Sequence, residues 1–488
     1  MKDQILILDF DHRFSAAIAA KLRAERISAR ILPGNTSAES IMAEEALGVI
    51  LSGGTGNDLP QDFDGQLLRY GVPVLALGSA APVVATLLGA QVMDAIAIND
   101  VDTLVFLPSK ITNELTESDR LFATVRPLQL TDDLQAIATW QDKVVGISHK
   151  TLDIYALDCQ LEPNDPDMMS LMTQFALDVC GATRWWGQDA FISIAKNEIS
   201  QAAGDGKALC VMSGGLDSGV TALLAHRALG GKLTCVFVDT GFLRENDVVE
   251  FSAYYKNAGL NLQIVNAADR FLDALRGLTS QEAKRKAMME TLNAVLEETA
   301  SLLTYDLLVE SRSSDHMFSG KINPLTHSQL ARGKRTIAPL TDLFKDEIRM
   351  VGEALGMPHE MTMMQPFPWT GLALRIFGEC TKEKLNLLRW ADNLFQHTIR
   401  EAGLAKRLWK YFAVLYEVPY KADTAAVALG LRAVSISHTG NDLRVIPARL
   451  PYDLLEQYTQ KALDHSAMLD KVIYDLTPGV SPQETEWH

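Results

Sequence analysis

The chain has 488 residues, a length typical of about three domains. Its 45 basic and 61 acidic residues give a formal net charge of −16, which argues against a broad nucleic-acid-binding surface. Hydrophobic residues make up 47% and charged residues 22%, the composition of a globular protein with large cores. No CxxC pair occurs, which disfavours a disulfide framework and a cysteine zinc site; the cysteines are Cys159, Cys180, Cys210, Cys235 and Cys380.

One stretch has to be distinguished from a membrane span. Residues 70–93 carry no charged side chain and are long enough to cross a bilayer. Prolines and glycines interrupt this stretch, and PVLAL followed by a small-residue turn is typical of a strand that leads into a helix. The first residues, MKDQILILDFDH, resemble a buried strand rather than a signal peptide, because acidic residues flank the apolar run. We therefore expect no membrane span and a cytoplasmic location.

Apolar runs alternate with helical stretches in the first third of the chain. The runs ILILDF, GVILSGG and PVLALG, with the helical pattern SAAIAAKLRAERI after the first, predict a parallel sheet with right-handed crossovers. LDIYALD around Tyr155 predicts a late strand of the same sheet. MMSLMTQFALDVCG predicts a closing helix that ends at Gly181. The fold class that follows is α/β.

A second α/β unit and a third segment follow. ALCVMSGG, DSGVTALLAHRALG and LTCVFVDTG predict a strand, a helix and a strand, which form one βαβ unit. Residues 279–303 and the segment FKDEIRMVGEALG predict further helices. The third segment begins near Pro366, where PFPWTG marks a boundary. It contains the helical pattern TKEKLNLLRWADNLFQHTIREAG and three strand-like runs, YFAVLYEV, VALGLRAV and KVIYDL.

The most specific motif is SGGLDSG, which begins at Ser213 where a predicted strand meets a predicted helix. Backbone N–H groups and the positive end of the helix converge there and form an anion site. Gly214 and Gly215 let the backbone approach a phosphate closely. Ser213 and Ser218 add hydroxyl donors, and Asp217 is a candidate ligand of Mg²⁺. The alternative is an ordinary glycine turn with Asp and Ser as helix caps.

This loop resembles the pyrophosphate loop of the ATP pyrophosphatases, which cleave ATP between its α and β phosphates. FVDTGFLRE resembles the next strand and turn, where those enzymes hold adenosine, and this implies that Val238 and Asp239 bind the nucleoside. LFKDEIR resembles a downstream helix whose lysine and acidic residue serve pyrophosphate and metal. The resemblance implies that Lys345 is catalytic together with Asp217, and that Asp346 is a second metal ligand. For the helix residues alone, a solvated face is the alternative.

The order of blocks along the whole chain resembles that of the GMP synthetases. ILDF, GVILSGG, SGGLDS, RFLDAL, LFKDEIR, PFPWTGLALRIFGE, LRAV, LPYDLL and a terminal EWH span essentially all 488 residues. The resemblance implies a class I glutamine amidotransferase domain (1–184), an ATP pyrophosphatase domain with a parallel sheet (185–364), and a small α+β dimerisation domain (365–488). It also implies ATP and Mg²⁺ as cofactors. In that family ATP adenylylates the C2 oxygen of xanthosine monophosphate, and ammonia then displaces AMP to give GMP.

The amidotransferase part departs from this family at its catalytic residues. Such a domain needs a cysteine nucleophile on a tight turn after a strand and a histidine–glutamate pair to activate it. Gly78 lies where the cysteine is expected and Gln160 where the histidine is expected, so only Glu162 remains. Ser79 is one residue out of place and lacks a base. We therefore expect no glutamine hydrolysis by this domain.

The acceptor region of the family is altered as well. Trp369 replaces a glycine at which the backbone is expected to approach the substrate closely. Lys321 alone matches the basic lid segment, and the lysine of the family's terminal block has no counterpart near Glu486. Arg375 persists, as does Glu379, although either residue could be structural. Lys321, Arg375 and Glu486 are the candidate substrate contacts, and we expect tight binding of xanthosine monophosphate to be impaired.

Two functions are compatible with these features. The first is an AMP-forming ligase that activates a carbonyl oxygen with ATP and aminates it with free ammonia, ammonia from a separate glutaminase, or an amine. Its small-molecule acceptor is xanthosine monophosphate or a different, purine-like molecule, and the altered pocket favours the latter. The alternative is a non-catalytic regulatory or scaffold protein, which explains the lost triad but not the intact ATP motifs. A homodimer is implied by the resemblance alone, since the C-terminal apolar runs equally suit an intramolecular core.

Overall fold

The computed structural model of the chain describes residues 2–53, 62–158, 165–314, 330–365, 367, 369–417, 426–439 and 442–478. The chain divides into two compact units, Met1–Phe191 and Ile192–His488. This division does not test the three predicted domains, which stay a prediction. Within the described residues, no helix is both long enough and apolar enough to cross a membrane.

In the described part of the first unit, the main sheet has nine strands in the order β2-β1-β3-β4-β11-β10-β9-β6-β7. These strands are β1 (Lys2–Asp9), β2 (Ala29–Pro33), β3 (Ala46–Ser52), β4 (Val74–Leu77), β6 (Ile96–Phe106), β7 (Glu117–Val125), β9 (Leu134–Trp140), β10 (Lys143–His149) and β11 (Ile154–Leu157), and a separate pair is β5 (Gln91–Val92) and β8 (Leu128–Gln129). Strands β1 to β4 and β11 pair in parallel, as the apolar runs predict, because central parallel strands are buried on both faces. The other strands of the sheet pair in an antiparallel manner and were not predicted.

The helices of this unit differ from the predicted ones at their ends. They are α1 (His12–Ala24), α2 (Ala38–Ala43), α3 (Ala81–Leu87) and α4 (Pro166–Gln174), with single 3₁₀ turns at Gly65–Arg69 and Gly78–Ala80. Helix α1 begins three residues before the predicted segment, because the Asp11 carboxylate accepts the Arg13 N–H and caps the helix. Helix α4 passes into a π-helical turn, Phe175–Val179, and Gly181 ends it with a φ of +69°, which confirms the predicted cap.

The second unit begins with a parallel sheet of five strands, as far as the structure describes the chain. Their order is β14-β13-β12-β15-β16. The strands are β12 (Ala208–Met212), β13 (Leu233–Asp239), β14 (Leu262–Asn266), β15 (Leu307–Val309) and β16 (Arg335–Ile337). The chain runs from β12 outward to β14 and then returns to β15 on the other side of β12. The strand order thus reverses between β12 and β15, and in such sheets ligands bind beyond the carboxyl ends of the strands at that point.

Helices cover this sheet, and a second sheet follows it. The helices are α5 (Gln188–Ala203), α6 (Leu216–Leu229), α7 (Asp247–Asn257), α8 (Ala268–Ala274), α9 (Gln281–Ser301), α10 (Lys345–Ala354), α11 (His359–Thr362), α12 (Lys382–Glu401) and α13 (Tyr452–His465), with 3₁₀ turns at Gly230–Lys232, Gly371–Arg375 and Ala405–Arg407. The second sheet consists of β17 (Lys410–Glu417), β18 (Val427–Thr439), β19 (Asp442–Pro447) and β20 (Leu469–Tyr474). Side chains of β12, β13, α9, α12, β17 and β18 belong to one apolar cluster. The C-terminal apolar runs therefore do contribute to a core within this unit.

Candidate functional site

The predicted phosphate loop lies at the carboxyl edge of the parallel sheet. Strand β12 ends at Met212, and α6 begins at Leu216 with Gly215 at its N-cap. Gly214 between them has a φ of +84°, a left-handed conformation that glycine adopts without strain. No side chain caps α6, so the N–H groups of its first turn and the positive end of its dipole are available to an anion.

Two serine hydroxyls fix the shape of this loop. The Ser213 N–H donates to Ser218 Oγ over 3.1 Å, and the Ser218 hydroxyl donates to the Gly215 carbonyl over 2.9 Å. The Ser213 hydroxyl also bonds to Ser218 Oγ, at 3.1 Å, and it accepts the Gly215 N–H at 3.4 Å. The predicted loop residues are therefore adjacent in space. Their roles in phosphate binding stay a prediction.

A buried carboxylate lies directly behind the loop. Asp217, in the first turn of α6, accepts a hydrogen bond at Oδ1 from Lys345 Nζ, 2.6 Å away, and Lys345 is the first residue of α10. Its other oxygen, Oδ2, accepts the Ser313 hydroxyl at 3.3 Å. The two residues predicted to be catalytic are thus in contact. Sequence reasoning missed Ser313, which reaches the same sheet edge because it follows the end of β15.

A cavity of about 280 Å³ opens in front of the loop. It has cations and carboxylates on its wall as well as apolar side chains, and its lining comprises Ser213, Gly214, Gly215, Leu216, Phe237, Leu243, Asp247, Glu250, Phe251, Lys345, Arg349, Met361, Met364, Gln365 and Phe367. Burial raises the pKa of Asp247, an effect that the neighbouring Arg244 opposes. Apolar walls with a few convergent polar groups are typical of small-molecule sites. Arg349, Asp247 and Glu250 were not among the predicted site residues.

The residues predicted to hold adenosine border two other cavities. Val238, near the end of β13, lines a cavity of about 30 Å³ together with Ser213 and Trp369. The next residue, Asp239, accepts the Gly241 N–H at 2.9 Å and lines a separate cavity of about 430 Å³. The structure thus brings Val238 close to the phosphate loop. Nucleoside binding by either residue stays a prediction.

The Trp369 segment is held firmly against the turn after β13. Gly371 has a φ of +60°, and a Cβ atom at this position would lie 2.1 Å from the Phe242 carbonyl oxygen. The Leu372 N–H donates to that same carbonyl over 2.7 Å. Only glycine permits this approach. Trp369 therefore has a defined position, where its side chain packs against the core and borders the small cavity beside Ser213.

The predicted metal ligands occupy different environments. Asp217 is buried, whereas the Asp346 side chain is 87% exposed and its carboxylate pairs with Arg349 on the next turn of α10. No group of three or more His, Cys, Asp or Glu side chains that could hold a metal ion occurs among the described residues. Mg²⁺ at nucleotide sites commonly uses one or two carboxylates together with phosphate oxygens and water. Asp217 beside the phosphate loop fits that mode of binding.

Arg375 lies in a buried ion-pair network. Its Nη1 is 3.4 Å from Oδ1 of Asp392, and Nε of Arg244 is 3.1 Å from Oδ2 of the same carboxylate. Both guanidinium groups also lie over the Phe367 ring, at 4.3 Å for Arg244 and 5.2 Å for Arg375. Arg375 thus has a structural role, as the alternative interpretation expected. Its role as a substrate contact stays a prediction.

The first unit keeps the turn at which an amidotransferase nucleophile is expected. Gly78 directly follows β4 with a φ of +57° and begins a 3₁₀ turn that leads into α3. Gly53 packs closely against this turn, since a Cβ atom on Gly53 would lie 2.2 Å from the Ala80 amide nitrogen. A sharp strand-to-helix turn of this kind exposes a nucleophile in many hydrolases. Here its first residue carries no side chain.

Several predicted residues fall outside the described part of the chain. They are Gln160 and Glu162 of the amidotransferase part, and Lys321 and Glu486 of the acceptor region. Cys159 also falls outside it. The predictions made for these residues stay predictions.

Along its whole length the chain is similar to proteins named GMP synthase (glutamine-hydrolyzing). It is 34% identical to that of Clostridium acetobutylicum, with 100% of this chain and 99% of the relative covered. It is 33% identical to that of Acetivibrio thermocellus, with 99% of each covered, and 32% identical to that of Lactobacillus acidophilus, with 99% and 98% covered. A solved structure described as a putative GMP synthase subunit from Thermoplasma acidophilum matches 36% of this chain and 94% of its own length, with 20% identity and a TM-score of 0.32, and we base no conclusion on it. No family model matches the chain.

Proposed function

The chain belongs to the family of the glutamine-hydrolysing GMP synthases, and from this premise we propose that it is an AMP-forming ligase that aminates a carbonyl carbon with ATP and Mg²⁺. In the proposed reaction the carbonyl oxygen of the acceptor attacks the α-phosphate of ATP and pyrophosphate leaves. Ammonia or an amine then displaces AMP. The acceptor and the source of nitrogen are the two points on which this protein is proposed to differ from its relatives.

The observation that carries the proposal is the contact between Asp217 and Lys345 behind an uncapped helix N-terminus. Glycine N–H groups and the end of α6 can bind phosphate oxygens, and Lys345 can neutralise charge that develops on pyrophosphate. Asp217 would hold Mg²⁺, which when bound neutralises the phosphates and stabilises the leaving group. A protein with only a scaffold role would not need this arrangement, so it supports the ligase over the non-catalytic alternative.

The nitrogen is proposed to come from outside the chain. The turn that carries the nucleophile in a class I amidotransferase begins here with Gly78, and its activating histidine is replaced by Gln160. Without a thiolate and a base, the amide of glutamine is not attacked. Free ammonia, ammonia from a separate glutaminase, or an amine is therefore the proposed nucleophile.

The acceptor is proposed to differ from xanthosine monophosphate while remaining purine-like. The support is Trp369, whose side chain borders a space of only about 30 Å³ beside Ser213 and Val238. That volume suits about one or two water molecules rather than a ring. We predict that Trp369→Gly enlarges this space and increases the xanthosine monophosphate-dependent release of pyrophosphate. Trp369→Phe, which keeps a ring, is the control and should change the rate less; equal rates for both variants and the wild type would contradict the assignment.

The proposed function is tested by measuring pyrophosphate and AMP release from ATP. The purified protein is incubated with Mg²⁺, ammonium and a panel of purine nucleotides, with and without glutamine. We expect turnover with ammonium and none supported by glutamine, and loss of turnover in Ser213→Ala and Asp217→Ala. Ser301→Ala, which removes an exposed hydroxyl at the end of α9, is the matched control. Absence of ATP turnover with every acceptor would refute the ligase function.

A homodimer is also proposed, on the basis of family membership. Ile446 on β19 and Ile473 on β20 are each 43% exposed, and Leu476 just beyond β20 is 65% exposed, so that part of the second unit presents apolar surface. Apolar side chains at such positions are common in subunit interfaces. Light scattering on the intact protein measures its mass in solution. Ile473→Lys should shift the protein toward the monomer if β20 lies in the interface.

A further inference from the structure

The contacts of Asp217 draw attention to a residue that has no part in the reaction as described so far. Both carboxylate oxygens have a hydrogen-bond donor, Lys345 Nζ at 2.6 Å and Ser313 Oγ at 3.3 Å. The two donors differ in exposure, because the Lys345 side chain is 37% exposed and Ser313 is completely buried. A long, partly exposed lysine can move away from the carboxylate, whereas a buried serine cannot.

The bound state requires that movement. An ion pair at 2.6 Å neutralises both partners, so neither charge acts fully on a ligand while the pair is closed. If Lys345 contacts phosphate oxygens and Asp217 contacts Mg²⁺, the pair has to open. Of the two donors described above, Ser313 then continues to hold the carboxylate.

The segment that carries Ser313 is itself anchored. The hydroxyl of the next residue, Ser314, donates to the Leu343 carbonyl over 2.7 Å, and its N–H lies 3.3 Å from the same oxygen. Leu343 precedes Lys345 by two residues. The chain after β15 is thus attached both to α6, through Asp217, and to the turn that begins α10. Ser313 is therefore held in place independently of Lys345.

We propose that Ser313 is a positioning residue that holds the Asp217 carboxylate in place when Lys345 leaves it for the phosphates. This inference rests on the proposed function, which assigns Asp217 to Mg²⁺ and Lys345 to pyrophosphate. Ser313 acts through Asp217 and does not itself contact the nucleotide. Its loss should therefore weaken the response to Mg²⁺ more than the response to ATP.

The first test is a Mg²⁺ titration of pyrophosphate release at saturating ATP. We expect Ser313→Ala to raise the half-saturating Mg²⁺ concentration about tenfold, the ratio that corresponds to one lost hydrogen bond to a charged group. High Mg²⁺ should restore kcat, and the KM for ATP should change less than twofold. Ser313→Thr keeps the hydroxyl and should restore the wild-type titration. An unchanged Mg²⁺ dependence in Ser313→Ala would overturn the proposal.

The second test needs no activity. Ser313→Ala should lower the melting temperature in the wild-type background and should cause no further loss in an Asp217→Ala background, since the acceptor is already absent. Ser314→Ala removes an equally buried hydroxyl that donates to Leu343 instead, and it should cause the same loss in both backgrounds. If Asp217→Ala does not fold, Asp217→Leu replaces it. Equal losses for Ser313→Ala in both backgrounds would refute the contact, whereas absent ATP binding with the expected coupling would refute only the proposed function.

Discussion

Asp392 offers the sharpest stability prediction, because one buried carboxylate holds two arginines. The side chain on α12 is completely buried and accepts hydrogen bonds from Arg244, Arg375 and the Ala413 N–H, the last over 2.9 Å. Asp392→Ala leaves two guanidinium groups, with side-chain exposures of only 12% and 8%, without this carboxylate. Removing one partner of a buried ion pair costs about 3–5 kcal/mol. We therefore expect the free energy of unfolding of the second unit to fall by about 3–5 kcal/mol.

Calorimetry of the intact protein measures this loss, which corresponds to a decrease of roughly 10 °C in the melting temperature of the unit. Asp392→Asn keeps an acceptor for the Ala413 N–H but loses the charge, so we expect a loss about half as large. Asp464→Ala is the matched control. That carboxylate on α13 accepts a hydrogen bond from exposed Gln460, and its removal should change stability by less than about 0.5 kcal/mol.

The same substitution should affect the nucleotide cavity. Both arginines lie over the Phe367 ring, which lines the cavity in front of the phosphate loop. When Asp392 is absent, Arg244 and Arg375 are free to turn toward solvent and Phe367 loses its packing. The affinity for ATP should then fall along with stability. A loss of less than about 1 kcal/mol in Asp392→Ala would refute the reasoning, because it would mean that the arginines do not depend on this carboxylate.

Three further predictions concern the two units. Lys345→Met should lower ATP-dependent pyrophosphate release by about 100- to 1,000-fold, as expected for a group that stabilises developing charge, whereas Lys286→Met on an exposed face of α9 should leave it unchanged. Gly78→Cys should not create glutaminase activity, because the base is also missing; ammonia release from glutamine by the wild type would contradict this. Burial raises the pKa of Asp158 to about 7, so the first unit should lose up to about 1.4 kcal/mol of stability per pH unit as the pH rises from about 4 to about 7. Asp158→Asn should remove that pH dependence, and an unchanged profile in melting experiments would contradict it.

The local features of this protein are determined by short stretches of sequence. Apolar runs such as ILILDF and PVLALG became β1 and β4, since strands buried on both faces need uninterrupted apolar residues. The phosphate loop was recognisable because the loop, the positive φ at Gly214 and the start of α6 all lie within a few residues. The antiparallel strands from residue 96 to residue 149 were not predicted. Their pairing depends on residues farther along the chain and leaves a weaker pattern in the sequence.

The length, composition and charge of the chain already excluded a disulfide scaffold and indicated a multidomain globular protein, and the order of motifs indicated its family. Which side chains meet at the site was decided by tertiary structure alone. Lys345 and Asp346 are neighbours on α10, yet one reaches buried Asp217 and the other pairs with Arg349 at the surface. Ser313 contacts Asp217 across 96 positions of sequence. Such contacts arise only where the strand order reverses and distant strand ends meet, a position that no local pattern encodes.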